Sequence, residues 1–253
     1  MIARRVKGHS TLLKAVTFDF HDTLAACDAW FQIEIRDLVP SLLCWLSARD
    51  ARQFSPTVHD QARAAYRALR LAVINDGIEK DALSCATEVL ASLEIACDPD
   101  IVAAGIEGIM RDALRDLQPI AGAVDAVRAL RERGIALGVV SSAVYHPFLE
   151  WSLSTFGILD AFDAIVTSAS CGYYKSSPLI YHHAATRLEA TPGECVHIGD
   201  SHRYDVEGAR RAGMRTVWYA RDGDMCAHHA ADLMVYSLDG LAPLIIDHFS
   251  GTI

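Results

Sequence analysis

The sequence predicts an α/β protein: a parallel sheet with helices on both faces, interrupted by an all-helical block. Three observations predict it. Six short apolar runs rich in β-branched residues recur along the chain. Helical-period segments separate the last five, and alternation of strand and helix implies a parallel sheet. The stretch from about residue 25 to residue 118 contains no convincing strand and repeats its apolar residues at helical spacing instead.

The first run, "AVTFDF" (15–20), is apolar until it meets Asp19. Beyond it, Val58, Ala62, Ala65, Leu69 and Val73 recur on one helix face, and Leu83, Ala86, Leu90 and Leu93 on another. Ser55-Pro56 and Asp98-Pro99 each read as an N-cap followed by proline at the first helical position, where its missing N–H costs nothing. The later strands follow in order: "IALGVVS" (135–141), "AIVTS" (164–168), "CVHIG" (195–199), "TVWYA" (216–220) and "LMVYS" (233–237). The expected division is an α/β core of residues 1–24 and 119–253 with a helical cap of residues 25–118. The insert begins a few residues after Asp19, over the carboxyl edge of a strand. Open α/β sheets bind ligands at that edge, so the block reads as a lid.

A chain of 253 residues suits one large domain or a core with an inserted module, and 51% hydrophobic residues suffice for a sizeable core. A net charge of −9 without a long basic run argues against nucleic acid as a partner. No stretch approaches the ~18 consecutive apolar residues of a membrane span. The N-terminal "MIARRVKGHSTLLKAV" is basic but lacks an apolar signal-peptide core, so it reads as a short tail. Seven scattered cysteines (27, 44, 85, 97, 171, 195 and 226) without a CxxC pair read as free thiols of a cytoplasmic protein. Neighbouring residues on a helix point apart, so the adjacent pair His182–His183 makes a poor joint metal site, and His228–His229 is a second such pair. No sequence feature demands a particular oligomeric state.

Four stations follow strand ends: Asp19 with Thr23 behind it, Ser141, Lys175 in "GYYKSSPLIYHHA", and Gly199, Asp200 and Asp205 in "HIGDSHRYD". Each alone has an ordinary explanation as cap, turn or surface group. Together they have a chemical sense, because in a parallel sheet all carboxyl ends face one edge. A carboxylate can attack phosphorus and form an aspartyl-phosphate. Two negative species must then meet, and Mg2+ held by one or two carboxylates plus the phosphate supplies the positive charge. Asp19 and Asp200 are the expected carboxylates, and Lys175 adds a second cation. Ser141 and backbone amides hydrogen-bond the phosphoryl oxygens. Asp205 either holds Lys175 or completes the metal shell.

These motifs resemble those of the haloacid dehalogenase superfamily of hydrolases. "VTFDFHDTL" is similar to its first motif, usually D-x-D-x-T, and "VVSS" to its second. "GYYKSSPLIYHHA" is similar to the third, with Ser176 where proline is usual, and "IGDSHRYDVEGARRAGM" to the fourth, the most specific of the set. The helical insert lies where one subfamily carries a helical cap. The resemblance covers nearly the whole chain. It implies a Rossmann-like core, Mg2+ and an aspartyl-enzyme intermediate, and a helical lid that encloses the site suggests a small phosphorylated substrate. On it, Asp19 is the nucleophile, and Thr23, Ser141, Ser142 and Lys175 bind phosphate. Asp19, the backbone carbonyl of His21, Asp200 and Asp205 hold the metal.

His21 departs from the family pattern, which usually has the acid/base aspartate at that position. Three readings follow. His21 can itself be the acid/base, since imidazole titrates near neutrality. The chain can instead be a dehalogenase, which expels halide without a proton, although Asp200 and Asp205 favour phosphate and Mg2+. Or it can be a weak enzyme that binds a phosphorylated ligand or a partner. The cap is expected to choose the substrate, with Asp28, Trp30 and Arg36 as candidates. His146, His202, Arg203 and Tyr204 are candidates from the core.

Overall fold

β1 (Ala15–Phe18) lies at the middle of the sheet because all four of its residues are buried, which only a central strand covered on both faces permits. The computed structural model describes residues 12–221 and 230–249; Cys226, His228–His229 and most of the basic N-terminal stretch lie outside them. β2 (Ala25–Ala26) follows, and the chain then enters a run of helices. These are α1 (Asp28–Gln32), a π-helical turn (Ile33–Asp37), α2 (Leu38–Asp50), α3 (Pro56–Asp76), α4 (Ala82–Ser92) and α5 (Pro99–Ala113). It returns through β3 (Gln118–Pro119), which pairs antiparallel with β2. Two-residue strands leave no periodicity to read, so this pair is a feature that sequence inspection does not anticipate.

The rest alternates as expected: α6 (Ala123–Glu132), β4 (Ala136–Ser141), α7 (His146–Thr155), β5 (Ala164–Thr167), α8 (Ser168–Cys171), α9 (Leu179–Arg187), β6 (Cys195–Gly199), α10 (Glu207–Arg211), β7 (Arg215–Tyr219), β8 (Leu233–Val235) and α11 (Leu241–Phe249). Six strands form one parallel sheet in the order β5-β4-β1-β6-β7-β8. After β1 the chain builds outward through β4 and β5, then crosses to the other side of β1 with β6. The sheet's direction of growth therefore reverses at β1, and a crevice opens at the carboxyl ends of β1, β4 and β6.

Both predicted helix starts are present. The Ser55 side chain accepts from the Val58 amide, the Asp98 side chain accepts from the Asp100 amide, and a proline occupies the first turn of each helix. The α4 face differs in detail: Leu83 is 38% exposed, and Ala82, Cys85, Ala86, Val89 and Leu90 carry the burial. The inward stripe is thus rotated by about one residue from the leucine spacing. Leu42, Leu43 and Leu46 of α2 and Tyr66 of α3 are fully buried among these helices, each such side chain contributing about 1.5–3 kcal/mol. Among the described residues no helix is long and apolar enough to cross a membrane.

Candidate active site

Three strand ends deliver the first residues of the site. Asp19 directly follows β1 and its amide donates to the Ile198 carbonyl of β6 at 2.8 Å. Ser141 is the last residue of β4, and Asp200 directly follows β6. Lys175 arrives from the loop after α8, which ends at Gly172 in a left-handed conformation (φ 82°). The Lys175 amide donates to the Ser142 hydroxyl at 3.2 Å, which ties that loop to the end of β4.

Lys175 is buried and its Nζ donates to both Asp19 and Asp205, at 2.6 Å to the latter. Burial opposes its charge, but the Asp19 and Asp205 carboxylates outweigh burial and raise its pKa. Asp205 is the best-held carboxylate of the group. Oδ1 faces Lys175 and the His197 ring, the latter at 3.2 Å, and Oδ2 accepts from the Ser201 amide at 2.9 Å. Burial pushes it up, yet Lys175 and His197 bring it down to about 2. Gly199 makes this possible: a Cβ there would lie 2.3 Å from the Asp205 carboxyl carbon, so a side chain and the folded-back carboxylate cannot coexist.

Asp19, Asp200 and Asp205 offer carboxylate oxygens that all lie within 4.8 Å of one another. Lys175 reaches two of them and not Asp200. Burial, then the charges of Asp19 and Asp205, push Asp200 up to about 8, and burial pushes Asp19 up to about 6 against the pull of Lys175. Thr23, expected to bind phosphate, is not among the residues lining the cavity over this cluster; its hydroxyl is buried and donates to Asp200 Oδ1 at 3.5 Å. A cluster of hard oxygen donors with more negative charge than its lysine balances fits a divalent cation such as Mg2+.

A cavity of about 560 Å³ opens over this cluster. Asp19, His21, Asp22, Ser141, Ser142, Lys175, Asp200 and Asp205 all line it. Of the expected specificity residues, Trp30, Arg36 and Tyr204 line it, whereas Asp28, His146, His202 and Arg203 do not. Asp28 opens α1 at the surface, and His146 bonds Thr167 at 3.0 Å on another side of the core. The His202 ring packs edge-on against Trp218.

His21 is held from two sides. Its ring stacks on Phe31 of α1, centroids 4.5 Å apart and planes 11° off parallel. Its Nδ1 lies 3.2 Å from Asp22 Oδ2, while Nε2 is buried without a hydrogen-bond partner among the described residues. Asp22 takes a left-handed backbone (φ 59°) and pairs with Arg221 at 2.5 Å. Sequence reasoning passed over Glu34, Arg67 and Arg70, which also line the cavity. Glu34 carried a signal: it stands four residues from both Trp30 and Leu38 on a buried face, and all three are buried. Both π-helical turns, Ile33–Asp37 and His202–Val206, feed side chains into the cavity, a recurrent placement for such turns.

Fold and site thus define a parallel α/β protein with a carboxylate–lysine centre at the sheet's switch point, beneath a helical wall. The family profile described as haloacid dehalogenase-like hydrolase matches residues 13–213. The chain belongs to the haloacid dehalogenase-like hydrolases. It is 37% identical over 103 residues to haloacid dehalogenase-like hydrolase domain-containing protein 3 of Bos taurus, covering 41% of this chain and 40% of that protein. It is 36% identical over 121 residues to glyceraldehyde 3-phosphate phosphatase of Methanopyrus kandleri, covering 47% and 51%. The chain thus spans about half the length, or less, of these two relatives. The human counterpart of the bovine protein matches at 27% over 217 residues, covering 83% and 82%. Among solved structures, a HAD phosphatase from Thermococcus onnurineus superposes with TM-score 0.61 at 24% identity, covering 92% of this chain and 97% of that one. A 2-haloacid dehalogenase from Pseudomonas syringae superposes with TM-score 0.70 at 21% identity, covering 93% and 99%. At such identities these likenesses show the fold.

Proposed function

We propose that this hydrolase is a Mg2+-dependent phosphohydrolase acting on a small phosphorylated metabolite in the cytoplasm. The observation that carries the reading is the carboxylate cluster. Asp19, Asp200 and Asp205 crowd within 4.8 Å around one lysine, and Asp200 has no ion pair among the described residues. Halide expulsion requires no such excess of hard donors, whereas phosphoryl transfer to a carboxylate requires a metal beside it. Asp19, the carbonyl of His21, Asp200 and Asp205 would hold Mg2+, which supplies charge neutralisation to the phosphoryl oxygens.

The chain's own residues do the rest. Lys175, Ser141 and Ser142 line the cavity beside Asp19 and orient the phosphoryl group by hydrogen bonds. Thr23 supports Asp200. The Asp19 carboxylate oxygen attacks phosphorus, an aspartyl-phosphate forms, and the bond to the leaving oxygen breaks. His21, in place of the family's usual aspartate, gives its Nε2 proton to that oxygen. It then takes a proton from the water that attacks the aspartyl-phosphate, which releases phosphate and restores Asp19. With Phe31 on the ring face and Asp22 at Nδ1, Nε2 has no partner among the described residues and is the nitrogen left for proton transfer. Residues 25–118 form the cap in this reading and screen the site from water while the leaving group is present.

Phosphate release from a panel of phosphomonoesters tests this, with Mg2+ and with chelator, with Asp19→Asn as control. Glyceraldehyde 3-phosphate belongs on the panel because of the named relatives. Turnover that needs both Mg2+ and Asp19 is expected. Halide release from 2-haloacids in chelator, with no phosphate release, overturns the proposal.

A further inference from the structure

The helical wall of the cavity, opposite the carboxylate cluster, carries three arginines, Arg36, Arg67 and Arg70. Two are matched. Arg70 is buried and makes a two-pronged pair with Glu79. Arg36 pairs with Asp37 at 2.9 Å, and Asp37 is shared with Arg63 at 2.8 Å. Arg67, exposed on α3 at the cavity's edge, has no ion pair among the described residues.

One acidic residue on this wall could cancel the Arg67 charge, and its surroundings stop it doing so. Glu34 is 4% exposed, its Oε2 accepts from the Val144 amide at 2.9 Å, and Oε1 has no hydrogen-bond partner among the described residues. Burial outweighs the help of that amide and of Arg70 and pushes its pKa up to about 8, so the neutral acid prevails near pH 7. The wall therefore keeps about one uncompensated positive charge. Phe31, Ile35, Leu71 and Ile74 flank it and thin the water that would screen it. On the core side of the cavity the cations already have partners: Lys175 is held by Asp19 and Asp205, and Arg221 by Asp22. With the phosphoryl group taking the core side, a second anionic group on the substrate meets its uncommitted cation at α3.

We propose that Arg67 is a specificity-determining residue that binds a carboxylate at the end of the substrate remote from its phosphoryl group. The substrate class is a phosphorylated carboxylic acid. The planar guanidinium suits this ligand because it can donate two parallel hydrogen bonds to a carboxylate. The proposal rests on the phosphohydrolase reading above.

The test uses three esters that share a skeleton and differ at the far end: 3-phosphoglycerate with a carboxylate, glyceraldehyde 3-phosphate with an aldehyde, and glycerol 3-phosphate with a hydroxymethyl group. Phenyl phosphate is run beside them, all with Mg2+. The expected wild-type kcat/KM for 3-phosphoglycerate is about tenfold or more above that for glycerol 3-phosphate, the worth of one charge-assisted contact. Arg67→Gln is expected to erase that ratio through KM, and Arg67→Lys to retain part of it. Arg115→Gln, the same charge change at an exposed site that does not line the cavity, is expected to keep the ratio within about twofold. Equal wild-type kcat/KM on the three esters, or equal losses on all of them in Arg67→Gln, overturns this proposal alone. No release from any ester, phenyl phosphate included, overturns the phosphohydrolase reading and this proposal with it.

Discussion

The His21 imidazole and the Asp22 carboxylate are hydrogen-bonded neighbours, Nδ1 to Oδ2 at 3.2 Å, although successive residues of a strand point to opposite sides. The turn after β1 makes this possible. Asp22 adopts φ 59°, which swings its side chain back toward the ring it follows. The hydrogen bond from His21, against the effect of burial, and then Arg221 hold the Asp22 carboxyl below its ordinary range.

That pairing makes His21 testable by leaving group. His21→Asn is expected to lower kcat on alkyl phosphates by about a hundredfold or more, the usual cost of a lost general acid. On aryl phosphates, whose leaving oxygen needs little protonation, the loss shrinks. A plot of log kcat against leaving-group pKa should therefore be steeper in the variant. Asp22→Asn keeps a residue that tolerates the left-handed backbone and is expected to give a smaller change of the same kind.

Asp19→Asn is expected to reduce phosphate release by at least about a thousandfold, since an amide oxygen is a poor nucleophile. The fold should persist, because the substitution removes one of three crowded carboxyls and keeps the shape. Circular dichroism melts and steady-state assays on the same preparation check both halves.

In the metal-free protein Glu34 and Asp200 should lower stability as pH rises from about 4 to about 8, partly offset by the buried His197, whose pKa burial lowers. Glu34 and Asp200 are both pushed up to about 8, so each binds its proton more tightly folded than unfolded across that window. Their stabilising share is complete below the ordinary carboxylate pKa of about 4 and is lost through about 8. Asp205 acts in the other direction: it is held at about 2, and its share is lost as pH falls from about 4 toward that value. Mg2+ competes with the Asp200 proton, so added Mg2+ should raise the melting temperature more at pH 8 than at pH 5.5. A Tm series over pH, with Mg2+ and with chelator, measures both effects.

Glu79→Ala should destabilise the protein by about 3–5 kcal/mol, because it strands the buried Arg70 guanidinium without its partner. The loss extends further, since Glu79 Oε1 also accepts from the Lys80 amide at 2.8 Å and Arg70 lies over the Tyr174 ring, 5.8 Å from its centroid. Urea unfolding of wild type, Glu79→Ala and Glu79→Gln should place the glutamine variant between the other two.

The parallel core was legible because its signals are local. Strand runs, proline-marked helix starts and the Gly-Asp of "HIGDSHRYD" can each be read from a few neighbouring residues. Parallel order alone then brings Asp19, Ser141 and Asp200 to one edge. The β2–β3 pair was not legible, since two residues carry no period. Leu83 misled because a helix face is chosen by its neighbours' packing, not by which residues are largest.

The sequence by itself determined the fold class, the edge at which chemistry is placed, and the residue types that gather there. Tertiary structure alone decided the partners. Lys175 meets Asp19 at a sequence separation of 156 and Glu34 meets the Val144 amide at one of 110. His21 lies against Phe31, and Arg67 has no ion pair among the described residues while Arg70 is matched. Such relations depend on where distant segments come to rest and how much water remains between them. Burial and charge in three dimensions set a group's protonation and its free valence, and no window along the chain contains either.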